Sequence, residues 1–405
     1  MSMTTNHDRK PSWFTHLSKW AIVLCSLLIL AGLATSTAFA SSSAHSSVST
    51  AHAPNTPFRL KNITSLGLAG PGGISMTSEQ VGWAFAANGV QHTSDGGQTW
   101  QTVAKSTDQQ VIRPLYIFDG QTAWYTTIDT QTFATSALYR TSDGGQSWTR
   151  FNWISPTQFL DNISIFDQQF AWVHTIDVSG SQPVPHLYLV GGSSQNWQEV
   201  TGLGQNQVAG LYFLSLQVGW ASTLTADGTS ENLLMTRDGG QSWTTQTLQL
   251  PTNVPTTDTV NLNVLGFANQ WNGYLTAIFS DPTTGAIDAR QIYATLDGGQ
   301  SWHLYGASEP ANLQMISQID LWHITTSQPM FVNPGQAINL GTLLLGKWHT
   351  QSFTLPNTNN SLLTALTDRV MFVSAFNTDN SAQLLYKTQD GGATWQQIAS
   401  VPFSV

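Results

Sequence analysis

Short apolar runs rich in β-branched and aromatic residues recur along most of the chain. Gly, Asn and Asp break them apart, which is the pattern of antiparallel strands. The first set predicts four strands: 73–76 (a), 81–86 (b), 89–93 (c) and 100–103 (d). Strand b opens on a small residue and then an aromatic one: Gly82-Trp83, Ala123-Trp124, Ala171-Trp172, Gly219-Trp220 and Gly273-Tyr274. The last two sets have Met330-Phe331 and Met371-Phe372 instead.

One octad joins c to d. It reads TSDGGQTW at 93–100, TSDGGQSW at 141–148, TRDGGQSW at 236–243, TLDGGQSW at 295–302 and TQDGGATW at 388–395. Two relics fill the gaps, GGSSQNW at 191–197 and GKW at 346–348. The seven closing tryptophans, from Trp100 through Trp148, Trp197, Trp243, Trp302 and Trp348 to Trp395, are spaced 48, 49, 46, 59, 46 and 47 residues apart. That period is the size of a four-stranded propeller blade. The expected fold is therefore all-β: a seven-bladed β-propeller of four-stranded antiparallel blades over 58–405, with the octads as c–d turns.

The octad has a mechanical logic. Its Asp (Asp95, Asp143, Asp238, Asp297, Asp390) can accept hydrogen bonds from its own turn. Its two glycines permit positive φ. The hydroxyl residue before the Trp can add a bond, and the Trp then packs between sheets. These residues are expected to be structural.

The octad resembles the Asp-box, or BNR, repeat, S/T-x-D-x-G-x-T-W, of which five copies are near-complete. Known folds of that repeat are β-propellers, among them sialidases, sortilin-type receptors and exo-acting glycoside hydrolases. With its Gly-Trp strand b, the pattern is most similar to the photosystem II stability/assembly factor family. That resemblance implies a non-enzymatic assembly scaffold for a protein partner. The alternative is a carbohydrate-active enzyme or a glycan-binding protein of the sialidase or exo-glycosidase type. A shared fold does not by itself choose between them.

The N-terminus reads as an address. Arg9, Lys10 and Lys19 precede an apolar run over 21–34 and the small-x-small site Ala38-Phe39-Ala40. Residues 1–40 are thus expected to be a signal peptide directing secretion or export to the cell envelope, the other reading being an uncleaved membrane anchor. Residues 41–57 are a Ser/Ala/Pro-rich linker. The one cysteine, Cys25, lies in the apolar run, so cleavage removes every thiol. Residues 58–68 add a strand-like segment that either closes the last blade or lies across one face.

Composition narrows the chemistry. Only 9% of residues are charged and the net charge is −9, against about 25% charged residues in an average soluble protein. A basic nucleic-acid footprint is excluded as a global property. Strand alternation puts the octads and a–b turns at one face, and the b–c loops and d–a connections at the other. The expected b–c loops are 128–137, 175–186, 223–232, 280–291 and 377–383. Variable loops on a rigid frame are where binding lives. That face is acidic by assignment: Asp108, Asp129, Asp161, Asp177, Asp227, Glu231, Asp258, Asp281, Asp288, Glu309 and Asp379, with Arg113 and Arg290 as its main bases.

The binding candidates are Arg113, Trp153, Asp177, His186, Asp227, Asp281 and Arg290. Trp153 is chosen because it, Trp271 and Trp322 fall outside the repeat and export patterns. A sialidase would need three converging arginines, for which only Arg59, Arg113 and Arg290 qualify. There is no HExxH motif or His/Cys cluster, so no metal or cofactor is expected. The expected state is a monomer whose partner is a protein or a glycan at the loop face.

Overall fold

The computed structural model describes residues 73–402, apart from 87–88, 193–195, 268–269, 306–313, 319–337, 345–346, 356–357 and 368. Contacts divide the chain into a unit of residues 1–35, outside the described set, and a second unit that holds all the strands below. The expected signal peptide and linker, Arg59, residues 58–68, Glu309, Trp322 and Met330-Phe331 also lie outside the described residues.

The described residues are all-β, in seven sheets. The first holds β1 (Gly73–Met76), β2 (Gly82–Ala86), β3 (Gly89–Thr93) and β4 (Gln101–Lys105). The second holds β5 (Gln110–Ile117), β6 (Ala123–Asp129), β7 (Thr135–Thr141) and β8 (Thr149–Asn152). The third is β9 (Gln158–Ile165), β10 (Phe170–Asp177), β11 (Val184–Gly191) and β12 (Asn196–Val200). The fourth is β13 (Val208–Phe213), β14 (Gly219–Leu224), β15 (Glu231–Thr236) and β16 (Thr244–Gln246). The fifth is β17 (Thr259–Phe267), β18 (Gly273–Ser280), β19 (Ile287–Thr295) and β20 (His303–Leu304). The sixth has β21 (Gln314–Gln318), β22 (Ile338–Leu344) and β23 (Lys347–Phe353). The seventh closes with β24 (Thr358–Ala365), β25 (Met371–Asn377), β26 (Ala382–Thr388) and β27 (Gln396–Pro402). No helix among the described residues is long and apolar enough to cross a membrane.

Six sheets are antiparallel meanders of four strands, as the run pattern predicts. The sixth departs from it. It has three described strands, and β21 pairs parallel with β22, Gln314 facing Leu340. β22 thus runs in the same direction as β21.

The small residue that opens strand b has a steric cause. A Cβ on Gly82 would sit 2.4 Å from Met76 Sδ, and one on Gly219 would sit 2.5 Å from the Phe213 ring. At Gly273 the Phe267 ring takes the same place, 2.7 Å away, so in these three sheets the last apolar side chain of the first strand lies over this position. The aromatic that follows is then driven into the layer between sheets: Trp83, Trp124, Trp172, Trp220 and Tyr274 are all buried. Trp172 stacks on Phe213 of the next sheet at 4.3 Å, and Trp220 on Phe267 at 4.2 Å. Offset stacking of this kind adds about 0.5–1.5 kcal/mol beyond area burial.

Apolar clusters join the first sheet to the second, the second to the third, the third to the fourth and the fourth to the fifth. A further cluster joins the seventh sheet (Phe372, Leu385, Val401) to the first (Ile74, Met76, Ala84). There Ile74 N–H donates to Ser374 Oγ at 3.4 Å, and Lys387 Nζ meets Glu79 Oε2 at 2.7 Å.

The octad turns share one hydrogen-bond network. In the fifth sheet, buried Thr295 Oγ1 donates to Asp297 Oδ1 at 2.8 Å and accepts Gly299 N–H at 2.8 Å. Asp297 also accepts Ser301 N–H at 3.0 Å and the Ser301 hydroxyl at 2.6 Å. The same bonds recur around Asp95, Asp143, Asp238 and Asp390. Hydrogen bonds from Thr99, Ser242 and Thr394 hold the carboxyls of Asp95, Asp238 and Asp390 down to about 2. Asp297 also falls to about 2; burial pushes it up, but the bonds from Ser301 and Thr295 outweigh that.

The second octad glycine meets two demands at once. Gly299 has φ 77°, and a Cβ there would lie 2.5 Å from Trp220 of the preceding sheet. Trp100, Trp243 and Trp395 each donate their indole N–H to the carbonyl of that glycine in their own turn at 3.0 Å. Trp148 instead reaches Val103 O of the preceding sheet at 3.0 Å.

Candidate functional site

The b–c turns at the loop end are built around carboxylates that their own backbone engages. Asp177 accepts Ser179 N–H at 2.8 Å. Asp227 accepts the Thr225 hydroxyl at 2.6 Å and Thr229 N–H at 3.1 Å. Asp281 accepts Thr284 N–H at 2.7 Å and Thr283 N–H at 2.8 Å. Asp129 and Asp379 do the same with Thr132 and Ser381. These bonds hold all five carboxyls below their ordinary range. Three binding candidates, Asp177, Asp227 and Asp281, are therefore turn formers. Asp258 moves the other way, raised by burial and then by neighbouring Asp288. Glu231 is raised by burial and accepts Leu262 N–H at 3.1 Å, tying the fourth sheet to the fifth.

The remaining candidates separate. Arg113 lies inside β5, and Arg290 inside β19, two strands out from the first strand of its sheet. The third and fourth sheets stand between theirs in chain order. Trp153 donates its indole N–H to Gln158 O at 2.7 Å and packs edge-on against Trp197 at 5.2 Å. It is a half-buried packing residue between the second and third sheets. His186 belongs to β11 and not to a loop, because the b–c strands run further toward the loop end than the sequence pattern suggests.

His186 nonetheless opens onto a cavity of about 240 Å³ at the loop end of the third sheet. Its walls come from Val184, Pro185, Leu187, Val200 and Leu203, and its polar residues are His174, His186, Glu199, Thr201 and Gln205. Cross-strand pairing places His174 beside Leu187 and Leu187 beside Val200. The connection from β12 to β13 folds back over this row. Gly204, at φ 59°, donates its N–H to Thr201 O at 3.0 Å, and Leu203 is buried.

A β-bulge equips the cavity's inner side. Asn162 pairs with His174 and Leu160 with Thr175, which leaves Asp161 as the extra residue of β9. Bulges re-aim side chains, and here Asp161 Oδ2 meets His174 Nδ1 at 2.8 Å. His174 is only 1% exposed, and its Nε2 has no hydrogen-bond partner. A second pair stands nearer solvent: His186 Nδ1 lies 2.6 Å from Glu199 Oε1, with Glu199 44% exposed. His186 also stacks on Tyr188 at 6.1 Å. Among the described residues, no group of three or more His, Cys, Asp or Glu is placed to hold a metal ion.

Asp161 belongs to the loop face by residue type, but neither it, His174 nor Glu199 stands among the binding candidates. Bulge position is not visible in residue types. Phe133 was missed as well. It is 68% exposed at φ 57° in the b–c turn of the second sheet, a conformation rare for a bulky residue. Gly285 fills the matching place in the fifth sheet, since each donates its N–H to the carbonyl of the turn's Asp at 2.9 Å. Aligning DTQTFA with DPTTGA would have exposed the anomaly.

No family model matches the chain, and no curated protein matches it. Solved structures do. A GH74 xyloglucanase from Xanthomonas campestris aligns at 12% identity over 82% of this chain and 64% of its own, with a TM-score of 0.35. A Hadza microbial sialidase aligns at 13% identity over 76% of this chain and 63% of its own, with a TM-score of 0.38. The six-bladed β-propeller lectin of Aleuria aurantia aligns at 8% identity over 82% of this chain and 95% of its own, with a TM-score of 0.36. The chain thus spans less than two thirds of the length of the first two.

Proposed function

We propose that the chain is an exported seven-bladed β-propeller with Asp-box turns, and that it binds a partner through the loop end of its third sheet without catalysing a reaction. The observation that carries this reading is the cavity beside His174. It is an apolar recess with a few placed polar groups, one of them a buried nitrogen left without a partner, which is how ligand sites are built.

Catalysis has less support. Glycoside hydrolysis uses two carboxyl groups flanking one bond. Each carboxylate here is already held by an imidazole, Asp161 by His174 and Glu199 by His186. A glycan ligand is the second reading, favoured by a volume that suits a single sugar ring. The resemblance to photosystem II assembly factors gains nothing further from the site, so the proposal stops at a binding role.

The test is site-specific photocrosslinking in the producing cell. A crosslinker at Gln205 or Phe133, at the loop end, should capture a partner, and the cavity-filling Leu203→Trp should abolish capture. A crosslinker at Leu296 in an octad should capture none. Capture from Leu296 alone, or aryl-glycoside turnover that Glu199→Gln destroys, would overturn the reading.

A further inference from the structure

We infer that the cavity receives a tyrosine side chain of a protein partner, its hydroxyl donating to His174 Nε2. This rests on the reading that the loop end of the third sheet is a binding site, and it names the chemistry of the occupant.

The two faces of the sheet decide which groups can act together. His174 pairs with Leu187 and Leu187 with Val200, so the three share one face. That face packs with Leu211 and Phe213 of the fourth sheet, and Leu203 joins the same cluster. His186, Tyr188 and Glu199 hold the alternate positions and belong to the opposite face, where Tyr188 packs with residues of the second sheet. On the His174 face, the polar lining of the cavity is one buried imidazole, with the exposed Thr201 and Gln205 at the rim.

The polarity of the imidazole follows from its partner. A carboxylate can only accept, so the contact with Asp161 fixes a proton on His174 Nδ1. A second proton on Nε2 would be a buried donor with nothing to receive it, so the ring is neutral and Nε2 is an acceptor. Water serves such an atom badly. A buried water needs about two to four polar partners, and Leu187, Val200 and Leu203 offer none from their side chains.

A phenol serves it well. Its O–H donates to Nε2, and its ring covers the apolar walls. Ammonium and guanidinium groups fit less well, because a buried cation needs a counter-charge and Asp161 is already held by His174. A sugar ring would set several hydroxyls against leucine and valine. Serine and threonine carry their hydroxyl too close to the backbone to reach an acceptor on a residue only 1% exposed. Tryptophan projects its N–H from the side of the ring and not from the tip. Tyrosine carries its hydroxyl at the far end of a flat apolar ring, with little conformational freedom to lose. Its peptide groups then remain at the rim, where the Gln205 amide and the Thr201 hydroxyl can each donate and accept. At about 240 Å³ the space falls below the roughly 300–1,000 Å³ of pockets for drug-sized ligands, and suits one side chain.

The experiment titrates the full-length protein with Nα-acetyl-tyrosine methylamide, its phenylalanine, tryptophan and lysine counterparts, p-cresol and methyl glucoside. The readout is the ring-nitrogen NMR signals of His174. In the free protein they should place the proton on Nδ1. The tyrosine probe should shift the Nε2 signal and saturate, with phenylalanine roughly tenfold weaker because it leaves the acceptor unpaired. Leu203→Trp should abolish the shift. Gln205→Ala, at an exposed position, should weaken the tyrosine probe and leave p-cresol unchanged. If phenylalanine matches tyrosine, if lysine or the glucoside binds in preference, or if the proton sits on Nε2, the phenol assignment is wrong. If p-cresol matches the tyrosine probe, the rim plays no part and the occupant is not a partner's side chain. Should Leu203→Trp fail to fold, the probe series on the unaltered protein still decides. Loop-end crosslinks found without any tyrosine binding would sink this inference alone, whereas their absence would sink the reading beneath it.

Discussion

Replacing Thr295 with valine keeps the shape of the side chain and removes one hydroxyl. Thr295 is fully buried. Its Oγ1 donates to Asp297 Oδ1 at 2.8 Å and accepts the N–H groups of Gly299 at 2.8 Å and Asp297 at 3.4 Å. Valine strands the buried Gly299 N–H, at a cost of about 1–3 kcal/mol for an unsatisfied donor. Asp297 keeps its bonds from Gln300 and Ser301, so the turn is weakened and not lost. A value of about 2 kcal/mol follows. For a domain of this size that lowers the thermal midpoint by roughly 3 °C, at an unfolding entropy of about 2 cal/mol/K per residue. Calorimetry and urea unfolding should both report it. Thr295→Ser keeps the hydroxyl and should cost about 0.8 kcal/mol for the lost methyl. Thr236→Val, with the same 2.8 Å bond to Gly240 N–H, should match Thr295→Val. A valine variant no less stable than wild type, or one more stable than the serine variant, would refute the claim that the threonine hydroxyl is the hub of the turn.

Four further outcomes are expected. Trp220→Ala removes a fully buried ring stacked on Phe267 and should cost about 3–5 kcal/mol in urea unfolding. Phe133→Gly should stabilise the protein by about 0.5–1 kcal/mol by relieving a left-handed backbone, and should weaken partner capture if the ring touches the partner. The carboxyls of Asp95, Asp238, Asp297 and Asp390 are held at about 2 in the folded protein, below the ordinary 3.8. Their contribution is therefore present above pH ~4 and disappears as pH falls toward ~2; urea midpoints should fall across that window, and Asp238→Asn should flatten the decline. Mass spectrometry of protein recovered from the cell envelope should show a chain beginning near Ser41.

The strand pattern was legible because each feature repeats and is local. A Gly-Trp step, a DGG turn and a closing Trp report their geometry without reference to distant residues. The site depends on relations that residue types do not encode. His174 became informative only when a slip in pairing put Asp161 beside it. Asp177, Asp227 and Asp281 looked like surface charge and proved to be turn acceptors. His186 and Arg290 were assigned to loops because polar residues at strand ends resemble loop residues. The parallel pair in the sixth sheet, where the octad is reduced to Gly and Trp, had no local signal at all.

The packing of the first sheet on the seventh sets a timetable. Ile74 and its partner Ser374 are separated by 300 residues. At a synthesis rate of about 5–20 residues per second, the first sheet waits roughly 15–60 s for the strands that cover Ile74 and Met76. Through that interval it presents an uncovered apolar face, and the contacts that shield it are among the most distant in sequence, the kind that form slowly. The first sheet to emerge is thus among the last to be finished, and the protein's yield in the cell depends on what guards that face in the meantime.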